Sequence, residues 1–374
     1  MPDLIPARVG MRLEEVDTPA LLIDLDLLEK NLERMVEDVK DRRVRLRPHA
    51  KTHKCAVIAL KQIAQGAVGV CCQKVSEAEA MVYGGVRDVF ISNEVVGRPK
   101  IERLGALARH AKVAVCADDP IHVAEYSRAA QFYDADLDVL IELNVGANRC
   151  GLPPGDALVK LADLIVASQR LRFAGLHAYH GAAQHLRTWT ARQKAIAAAV
   201  GRTMEAVELL QQQGIACETI TGAGTGTYPL EADSGIFNEI QPGSYVFMDA
   251  DYAKNLDENG RPLQAFKQSL FVYTTVMSRP TADRAVVDAG LKAVAVDSGM
   301  PLIPALDDVD YRVGGDEHGQ LILHDPGRDL KIGDKLRMVP GHCDPTVNLY
   351  DWYVGIRKNH VESIWPIAAR GAIL

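Results

Sequence analysis

The sequence, 374 residues long, lacks the features that mark several classes of protein. No window contains the run of about 18 apolar residues that a membrane-spanning helix needs. The opening segment 1–10 has no apolar stretch of the kind found in a secretory signal peptide. The seven cysteines, an odd number, are more typical of free thiols in a reducing compartment than of a disulfide framework. We therefore expect a cytoplasmic protein that does not enter membranes.

Positive charge is also scarce relative to negative charge. The chain has 42 Lys and Arg residues against 49 Asp and Glu residues, which gives a net charge of -7. That balance argues against binding to nucleic acid. Hydrophobic residues make up 48% of the chain, so a large core is available, and the length is natural for two domains.

Short apolar runs alternate with helical patterns over much of the chain. The runs that we interpret as strands are Val44–Arg47, Val68–Cys72, Asp88–Ser92, Lys112–Cys116, Leu137–Leu143, Arg172–Ala178, Cys217–Thr221 and Glu239–Phe247. The helical patterns between them include Ser76–Tyr83, which opens with a Ser76 and Glu79 capping pattern. Eight repeats of strand and helix predict a (β/α)8 barrel. An open doubly wound sheet is the alternative, but no Gly-x-Gly-x-x-Gly turn follows the first strand.

From about residue 264 the pattern changes to strands without intervening helices. The predicted strands here are Ser269–Ser278, Arg284–Asp288, Leu321–His324, Lys335–Val339 and Val361–Ile364. We therefore predict a barrel over residues 26–262 and a second, mainly β domain over residues 263–374. We expect residues 1–25 to join the second domain.

A cluster of bases follows the first predicted barrel strand. Arg47, His49 and Lys51 are two residues apart, so an extended chain would aim all three at one face. Three cations on one inward face need an anion or a lowered pKa, and a neutral lysine is a nucleophile toward carbonyl groups. The plainer interpretation of the same segment is a solvated basic loop.

A glycine-rich loop, Gly222–Thr227, follows the seventh predicted strand. Its glycines let backbone amides turn toward an anion, and its threonines add hydroxyl donors. Barrels commonly bind phosphate in the loops after strands seven and eight, although an ordinary turn is the alternative. A phosphate site together with a strand-end lysine predicts pyridoxal 5'-phosphate, a phosphorylated aldehyde that lysine can hold covalently.

Five segments of the chain together resemble the D-threonine aldolase family. They are Arg47–Lys54, Gly69–Glu79, Thr221–Thr227, Phe247–Tyr252 and Pro340–Thr346. The resemblance runs from about Thr18 to Gly371. This family belongs to the alanine-racemase-like, fold type III pyridoxal-phosphate enzymes, which have an N-terminal barrel and a C-terminal β domain. Its relatives include D-3-hydroxyaspartate aldolases and D-serine dehydratases.

The resemblance implies a role for each matching residue. Lys51 is expected to hold the cofactor within the barrel, and Arg149 to face the pyridine nitrogen. The other expected cofactor contacts are Gln73, Tyr179, Gly224, Thr225, Gly226, Ser244 and Tyr245. His185 is expected near the substrate hydroxyl as a catalytic residue, and either His185 or a metal-bound hydroxide would take the hydroxyl proton.

A His-x-Asp pair in the second domain completes the expected site. The resemblance implies that His342 and Asp344 bind a divalent metal, and a strand or extended loop would point both the same way. This ligand set favours Mn²⁺, with Mg²⁺ and Zn²⁺ as alternatives. Asp249 and Asp251 are expected to cap turns, and the alternative is that they line the site.

The function implied is a metal-assisted, pyridoxal-phosphate-dependent aldolase acting on D-3-hydroxy-amino acids, a lyase that cleaves D-threonine to glycine and acetaldehyde. The alternatives are a D-3-hydroxyaspartate aldolase and a dehydratase of D-serine or D-threo-3-hydroxyaspartate. A non-catalytic carrier of the cofactor is disfavoured, because such carriers resemble a lone barrel. Similar proteins are usually homodimers.

Overall fold

Two eight-stranded sheets organise the computed structural model, which describes residues 5–374. The strands are β1 (Ala20–Asp24), β2 (Arg45–Leu46), β3 (Val70–Cys72), β4 (Asp88–Glu94), β5 (Lys112–Ala117), β6 (Leu137–Glu142), β7 (Leu171–Ala178), β8 (Thr219–Gly222), β9 (Glu239–Ile240), β10 (Leu270–Thr281), β11 (Arg284–Val287), β12 (Val309–Val313), β13 (Gly319–Leu323), β14 (Lys335–Met338), β15 (Trp352–Arg357) and β16 (His360–Pro366). The helices are α1 (Leu25–Val39), α2 (Ala56–Ala64), α3 (Val75–Tyr83), α4 (Arg98–Leu107), α5 (Pro120–Tyr133), α6 (Asp156–Ala167), α7 (Trp189–Gln212), α8 (Tyr228–Ala232) and α9 (Cys343–Val347). The part of our N-terminal prediction that concerns residues 1–4 lies outside the described residues.

The first sheet is a barrel of eight parallel strands. Its order is β2-β9-β8-β7-β6-β5-β4-β3, with every named pair parallel. A bridge between His49 and Cys71 joins the two end strands, and the Cys71 amide donates to the Pro48 carbonyl oxygen at 2.8 Å. The predicted (β/α)8 barrel is therefore confirmed. Within residues 5–374, no helix is long and apolar enough to cross a lipid bilayer.

The second sheet contains β1 as well as the C-terminal strands. Its order is β12-β13-β11-β10-β1-β15-β16, and β14 also pairs with β10. Strand β1 runs antiparallel to β10 and parallel to β15, so a segment that precedes the barrel in sequence lies in the middle of this sheet. The second, mainly β domain is confirmed as a feature of the fold. The boundaries at residues 26–262 and 263–374 remain our proposal.

The sequence interpretation was wrong in several local details. The eighth barrel strand was expected to span Glu239–Phe247 but ends at Ile240, because Pro242 has no N–H to continue the ladder and a 3-10 helix begins at Ser244. Helix α2 and strands β12 and β15 were not predicted. The expected capping box of α3 is also absent, since Ser76 bonds the Leu374 carbonyl oxygen and Glu79 bonds Arg103 instead.

Arg47 lies apart from His49 and Lys51, contrary to expectation. It faces a cavity of about 250 Å³ in the barrel, whereas His49 and Lys51 face a different cavity. Phe90 separates the two cavities. It belongs to a buried hydrophobic cluster and borders the Arg47 cavity. The centre of its ring lies 5.4 Å from the centre of the His177 ring, which lines the other cavity. Arg47 and His49, two residues apart, therefore both point into the barrel but lie in different layers of its interior.

The charge of Arg47 is balanced by one buried and one partly buried carboxylate. Its Nε donates to Glu239 at 3.0 Å and one terminal nitrogen donates to Asp88 at 2.7 Å. The side chains of Arg47 and Glu239 are 9% and 2% exposed. Removing Arg47 leaves the buried Glu239 charge compensated less well, by Arg45, which is 46% exposed and lies 3.5 Å away.

Arg47→Met is therefore expected to lower the free energy of unfolding by about 3–5 kcal/mol. Chemical denaturation of the variant and the parent measures this difference. Arg170→Met is the matched control, because its partners Asp134 and Asp136 are mostly exposed and such pairs contribute at most about 1 kcal/mol. Equal, small losses in both variants would contradict the prediction.

Candidate active site

A cavity of about 430 Å³ contains most of the predicted site residues. It lies at the C-terminal ends of the barrel strands, where barrels place their chemistry. The predicted residues that line it are Lys51, Gln73, Arg149, Tyr179, His185, Gly224, Thr225 and Ser244. They are joined by others that we did not predict, among them His49, Ser92, His177, Gln241 and Tyr252.

Two of the predicted cofactor contacts do not line this cavity. The Gly226 amide donates to the Gln184 Oε1 at 3.0 Å. The hydroxyl of Tyr245 accepts from Gln62 at 3.0 Å, and its ring packs against Phe266 with centroids 5.5 Å apart. The Tyr245 side chain therefore packs behind the cavity wall, and its predicted contact with the cofactor stays a prediction.

Lys51 is held by one of the predicted metal ligands. It lies in a 3-10 helix, Ala50–Thr52, immediately after the strand that closes the barrel. Its Nζ donates to the Asp344 Oδ2 at 2.6 Å, and the charge of Asp344 raises the pKa of Lys51 although burial acts against it. We expected clustered cations to need either an anion or a lowered pKa, and the structure supplies an anion for Lys51, the carboxylate of Asp344.

Asp344 remains ionised for the reciprocal reason. Burial acts to raise its pKa, but the charges of Lys51 and His342 outweigh burial and lower that pKa to about 2. Its other carboxylate oxygen, Oδ1, is buried and has no hydrogen-bond partner within residues 5–374. A buried charged oxygen without a partner is costly, and a cation is the usual remedy.

His49 fixes the backbone beneath Lys51. Its Nδ1 accepts the Lys51 amide at 3.3 Å, while its Nε2 lies 3.2 Å from the Gln73 Oε1 and 3.1 Å from the Ser92 Oγ. Burial lowers the pKa of His49 well below the ordinary value, so the ring is neutral. The tautomer consistent with these contacts carries its proton on Nε2 and donates it to Gln73 or Ser92.

The loop residues around Thr225 form a cradle that fits a phosphate group. The Thr225 Oγ1 accepts the Tyr245 amide at 3.0 Å, which leaves the hydroxyl proton free to donate elsewhere. A Cβ at Gly224 would approach a Gln184 oxygen to 2.5 Å, and one at Gly243 would approach the Thr52 oxygen to 2.7 Å. A Cβ at either place would therefore crowd a neighbouring side chain, and the Thr225 hydroxyl, which is free to donate, fits the phosphate of pyridoxal 5'-phosphate.

Arg149 and Tyr179 meet at another part of the wall. The Arg149 guanidinium lies 6.0 Å from the centre of the Tyr179 ring. Burial raises the pKa of Tyr179, so its hydroxyl stays protonated near neutral pH. A cation and an aromatic face of this kind suit a planar ring ligand.

The His342 and Asp344 pair has a different backbone from the one expected. His342 is the N-cap of α9 and Asp344 lies within that helix, so the pair is not on a strand or extended loop. Asp249 fixes this segment by accepting the Cys343 amide at 3.2 Å and the Tyr252 amide at 2.9 Å. The turn-capping role predicted for Asp249 is thus present.

The donors of this pair fit a divalent metal. The His342 Nδ1 donates to the Asp297 Oδ2 at 2.7 Å, an arrangement that orients a histidine so that Nε2 can bind a metal. The unpartnered Oδ1 of Asp344 supplies a carboxylate donor. Imidazole and carboxylate together suit Mn²⁺, Mg²⁺ and Zn²⁺.

Asp251 does not cap a turn with its side chain, contrary to expectation. Its Oδ2 accepts a hydrogen bond from the His185 Nδ1 at 2.7 Å, and Arg187 binds its other oxygen. His185 therefore faces the cavity with one ring nitrogen already fixed.

Two family profiles match the chain, one for each part of the fold. The alanine racemase N-terminal domain matches residues 23–251, and the putative serine dehydratase domain matches residues 269–356. The 3-hydroxy-D-aspartate aldolase of Paracoccus denitrificans is 46% identical over 371 residues, covering 98% of this chain and 95% of that protein. The D-threonine aldolase of an Arthrobacter species is also 46% identical, with coverage of 98% and 96%. This chain belongs to the D-threonine aldolase family.

A solved structure agrees with that assignment. The D-threonine aldolase from Filomicrobium marinum superposes with a TM-score of 0.96 at 47% identity, covering 99% of this chain and 100% of that one. Membership of the D-threonine aldolase family confirms the predicted family, the alanine-racemase-like fold and the classification as a lyase of the aldolase type. The roles of individual site residues stay predictions.

Thr225→Val is expected to weaken binding of pyridoxal 5'-phosphate to the cofactor-free protein. The change removes one hydroxyl donor to a phosphate, and a hydrogen bond to a charged group contributes about 1.5–3 kcal/mol, or roughly 10- to 150-fold in affinity. Titration followed by absorbance measures the dissociation constant. Thr225→Ser keeps the donor and should stay close to the parent, so equal affinities in all three proteins would show that the loop is only a turn.

Proposed function

We propose that this chain catalyses the retro-aldol cleavage of D-3-hydroxy-amino acids, with D-threonine giving glycine and acetaldehyde. Lys51 holds pyridoxal 5'-phosphate in the barrel cavity, and His342 and Asp344 hold a divalent metal, with Mn²⁺ the first choice. The enzyme acts in the cytoplasm as a homodimer. Support comes from the 46% identity to two proteins named as aldolases of this class.

The observation that carries the proposal is the 2.6 Å contact between the Lys51 Nζ and the Asp344 Oδ2. It brings Asp344, one of the two expected metal ligands, into contact with Lys51, which lines the cavity. An amino acid whose nitrogen lies near Lys51 therefore places its 3-hydroxyl within reach of the groups around Asp344. Substrates with a hydroxyl at that position use both sets of residues.

When bound, the cofactor supplies an electron sink at Cα, and the metal supplies a Lewis acid for the 3-hydroxyl oxygen. The chain itself positions and moves protons. The Nε2 of His185 takes the hydroxyl proton, since Nδ1 is engaged by Asp251. Arg149 cannot give up a proton, so a pyridine nitrogen facing it stays unprotonated.

Two observations bear on the competing reactions. The matched domain over residues 269–356 is described as a putative serine dehydratase domain, which keeps dehydration as the second candidate. A His-x-Asp ligand pair resembles the aldolases, whereas His-x-Cys resembles the D-serine dehydratases. The two relatives at 46% identity are named for D-threonine and 3-hydroxy-D-aspartate, so both side chains are candidate substrates.

The protein loaded with pyridoxal 5'-phosphate is expected to be labelled at Lys51 on borohydride reduction. Peptide mass mapping locates the label. Lys54 is an internal control, because its Nζ is buried and paired with Glu77 at 2.8 Å. A label on another lysine would contradict the assignment of Lys51.

D-threonine is expected to give glycine and acetaldehyde in a reaction that a chelator stops. His342→Gln and Asp344→Asn should each reduce kcat at least about 100-fold, because Lewis-acid stabilisation is worth several kcal/mol. Product analysis by chromatography measures the rate, and cofactor absorbance should stay at the parent level. Formation of 2-oxobutanoate and ammonia as the main products would overturn the aldolase assignment, and full activity after chelation would overturn the metal's role.

A further inference from the structure

The histidine on the cavity wall is part of a buried charge network. The His185 side chain is 48% exposed to the cavity, whereas the Asp251 side chain that binds its Nδ1 is only 7% exposed. Arg187 donates to the Asp251 backbone oxygen at 2.8 Å, to its carboxylate, and to the Asn255 Oδ1 at 3.0 Å. The carboxylate is thus fixed from two sides before any ligand binds.

We propose that Asp251 is a positioning residue that holds His185 in the tautomer with a free Nε2, and that Arg187 limits the basicity of that nitrogen. This inference rests on the proposed function, in which His185 is the base. The carboxylate can only accept hydrogen bonds, so the ring must present its N–H at Nδ1. The lone pair on Nε2 then faces the cavity.

The proton balance of the step follows from this arrangement. The 3-hydroxyl proton moves to Nε2, the electron pair of that O–H bond forms the carbonyl of the aldehyde, and the electron pair of the Cα–Cβ bond stays on Cα. A bound cofactor would delocalise that pair until Cα takes up one proton to give glycine, and Nε2 releases the proton that it gained. The imidazolium that results is stabilised by Asp251, as a buried carboxylate stabilises a histidine base in hydrolases. Arg187 shares the same carboxylate, so this stabilisation is partial.

The groups packed against His185 are an ionised carboxylate and a neutral phenol. Burial acts to raise the pKa of Asp251, but Arg187 and His185 outweigh burial and lower it, so the carboxylate is ionised. The Tyr252 ring packs 5.3 Å from His185, and burial raises the pKa of Tyr252, so the tyrosine is neutral. Lys51, paired with Asp344, and Arg149 are charged side chains on the same wall. His177 also lines it, and there burial acts to lower the pKa of His177, but Glu142 outweighs burial and raises that pKa.

Asp251→Asn tests the tautomer without any turnover. The amide NH₂ can donate to Nδ1, so the ring is expected to move its proton to Nε2. Nitrogen-15 NMR of imidazole-labelled protein reports which nitrogen carries the proton, and His185→Gln assigns the signal. An unchanged Nδ1–H tautomer in Asp251→Asn would overturn the proposal.

The kinetics of Asp251→Asn distinguish a loss of His185 positioning from a loss of folding. A general base increases the reaction rate about 10²–10⁴-fold, so kcat for D-threonine should fall by at least about 100-fold in this variant. KM and the affinity for the cofactor should stay near the parent values. Asp251→Glu keeps a carboxylate acceptor and should recover part of kcat. A parent-like kcat in Asp251→Asn would overturn the inference, whereas an inactive parent enzyme would instead overturn the proposed function.

Arg187→Met tests the second half of the proposal and does not alter the carboxylate. Without the Arg187 guanidinium, the negative charge of Asp251 is no longer shared. Asp251 then stabilises the His185 imidazolium more strongly, so His185 is protonated more readily. The acid limb of the kcat/KM profile should therefore move to higher pH. An unchanged limb, or a shift to lower pH, would contradict the role of Arg187.

Discussion

The ion pair between Lys51 and Asp344 is the contact on which the site depends. Lys51 follows the strand that closes the barrel, and Asp344 lies in a short helix after β14 of the second sheet. One interaction therefore joins an expected metal ligand beside the second sheet to a lysine that lines the barrel cavity. A charged pair in such a place is seldom worth much to stability, because desolvation offsets its Coulombic attraction. The contribution of the pair is geometric, because it brings the proposed cofactor lysine next to a proposed metal ligand.

The remaining groups of the cavity keep charge confined to a few atoms. Burial lowers the pKa of His49 and raises the pKa of Tyr179, so both side chains are neutral. Burial acts to raise the pKa of Asp251, but Arg187 and His185 outweigh burial and lower it, so Asp251 is ionised. His49 and Tyr179 are therefore neutral groups near the Lys51 and Asp344 pair and add no further charge to it. A fixed arrangement of this kind costs little reorganisation when charge develops in a reaction.

The sequence predicted the architecture well because the strand-helix repeat is a local signal that extends over the whole barrel. Lys51, Gln73, Arg149 and Tyr179 could be placed at strand ends for the same reason, and the resemblance to a family named their roles. The partners in each hydrogen bond could not be predicted in this way. Asp251 meets His185 across 66 residues, and Asp297 meets His342 across 45. Such pairings depend on how the loops fold, and periodicity carries no information about them.

The measurement that tests the account most directly is a crystal structure of the protein loaded with pyridoxal 5'-phosphate and Mn²⁺. Anomalous diffraction at the manganese edge locates the ion without assumptions about its ligands. The account predicts a peak bonded to the His342 Nε2 and an Asp344 oxygen, with the cofactor joined to Lys51 and its phosphate against Thr225. A manganese peak elsewhere, or a cofactor bound away from Lys51, would contradict it.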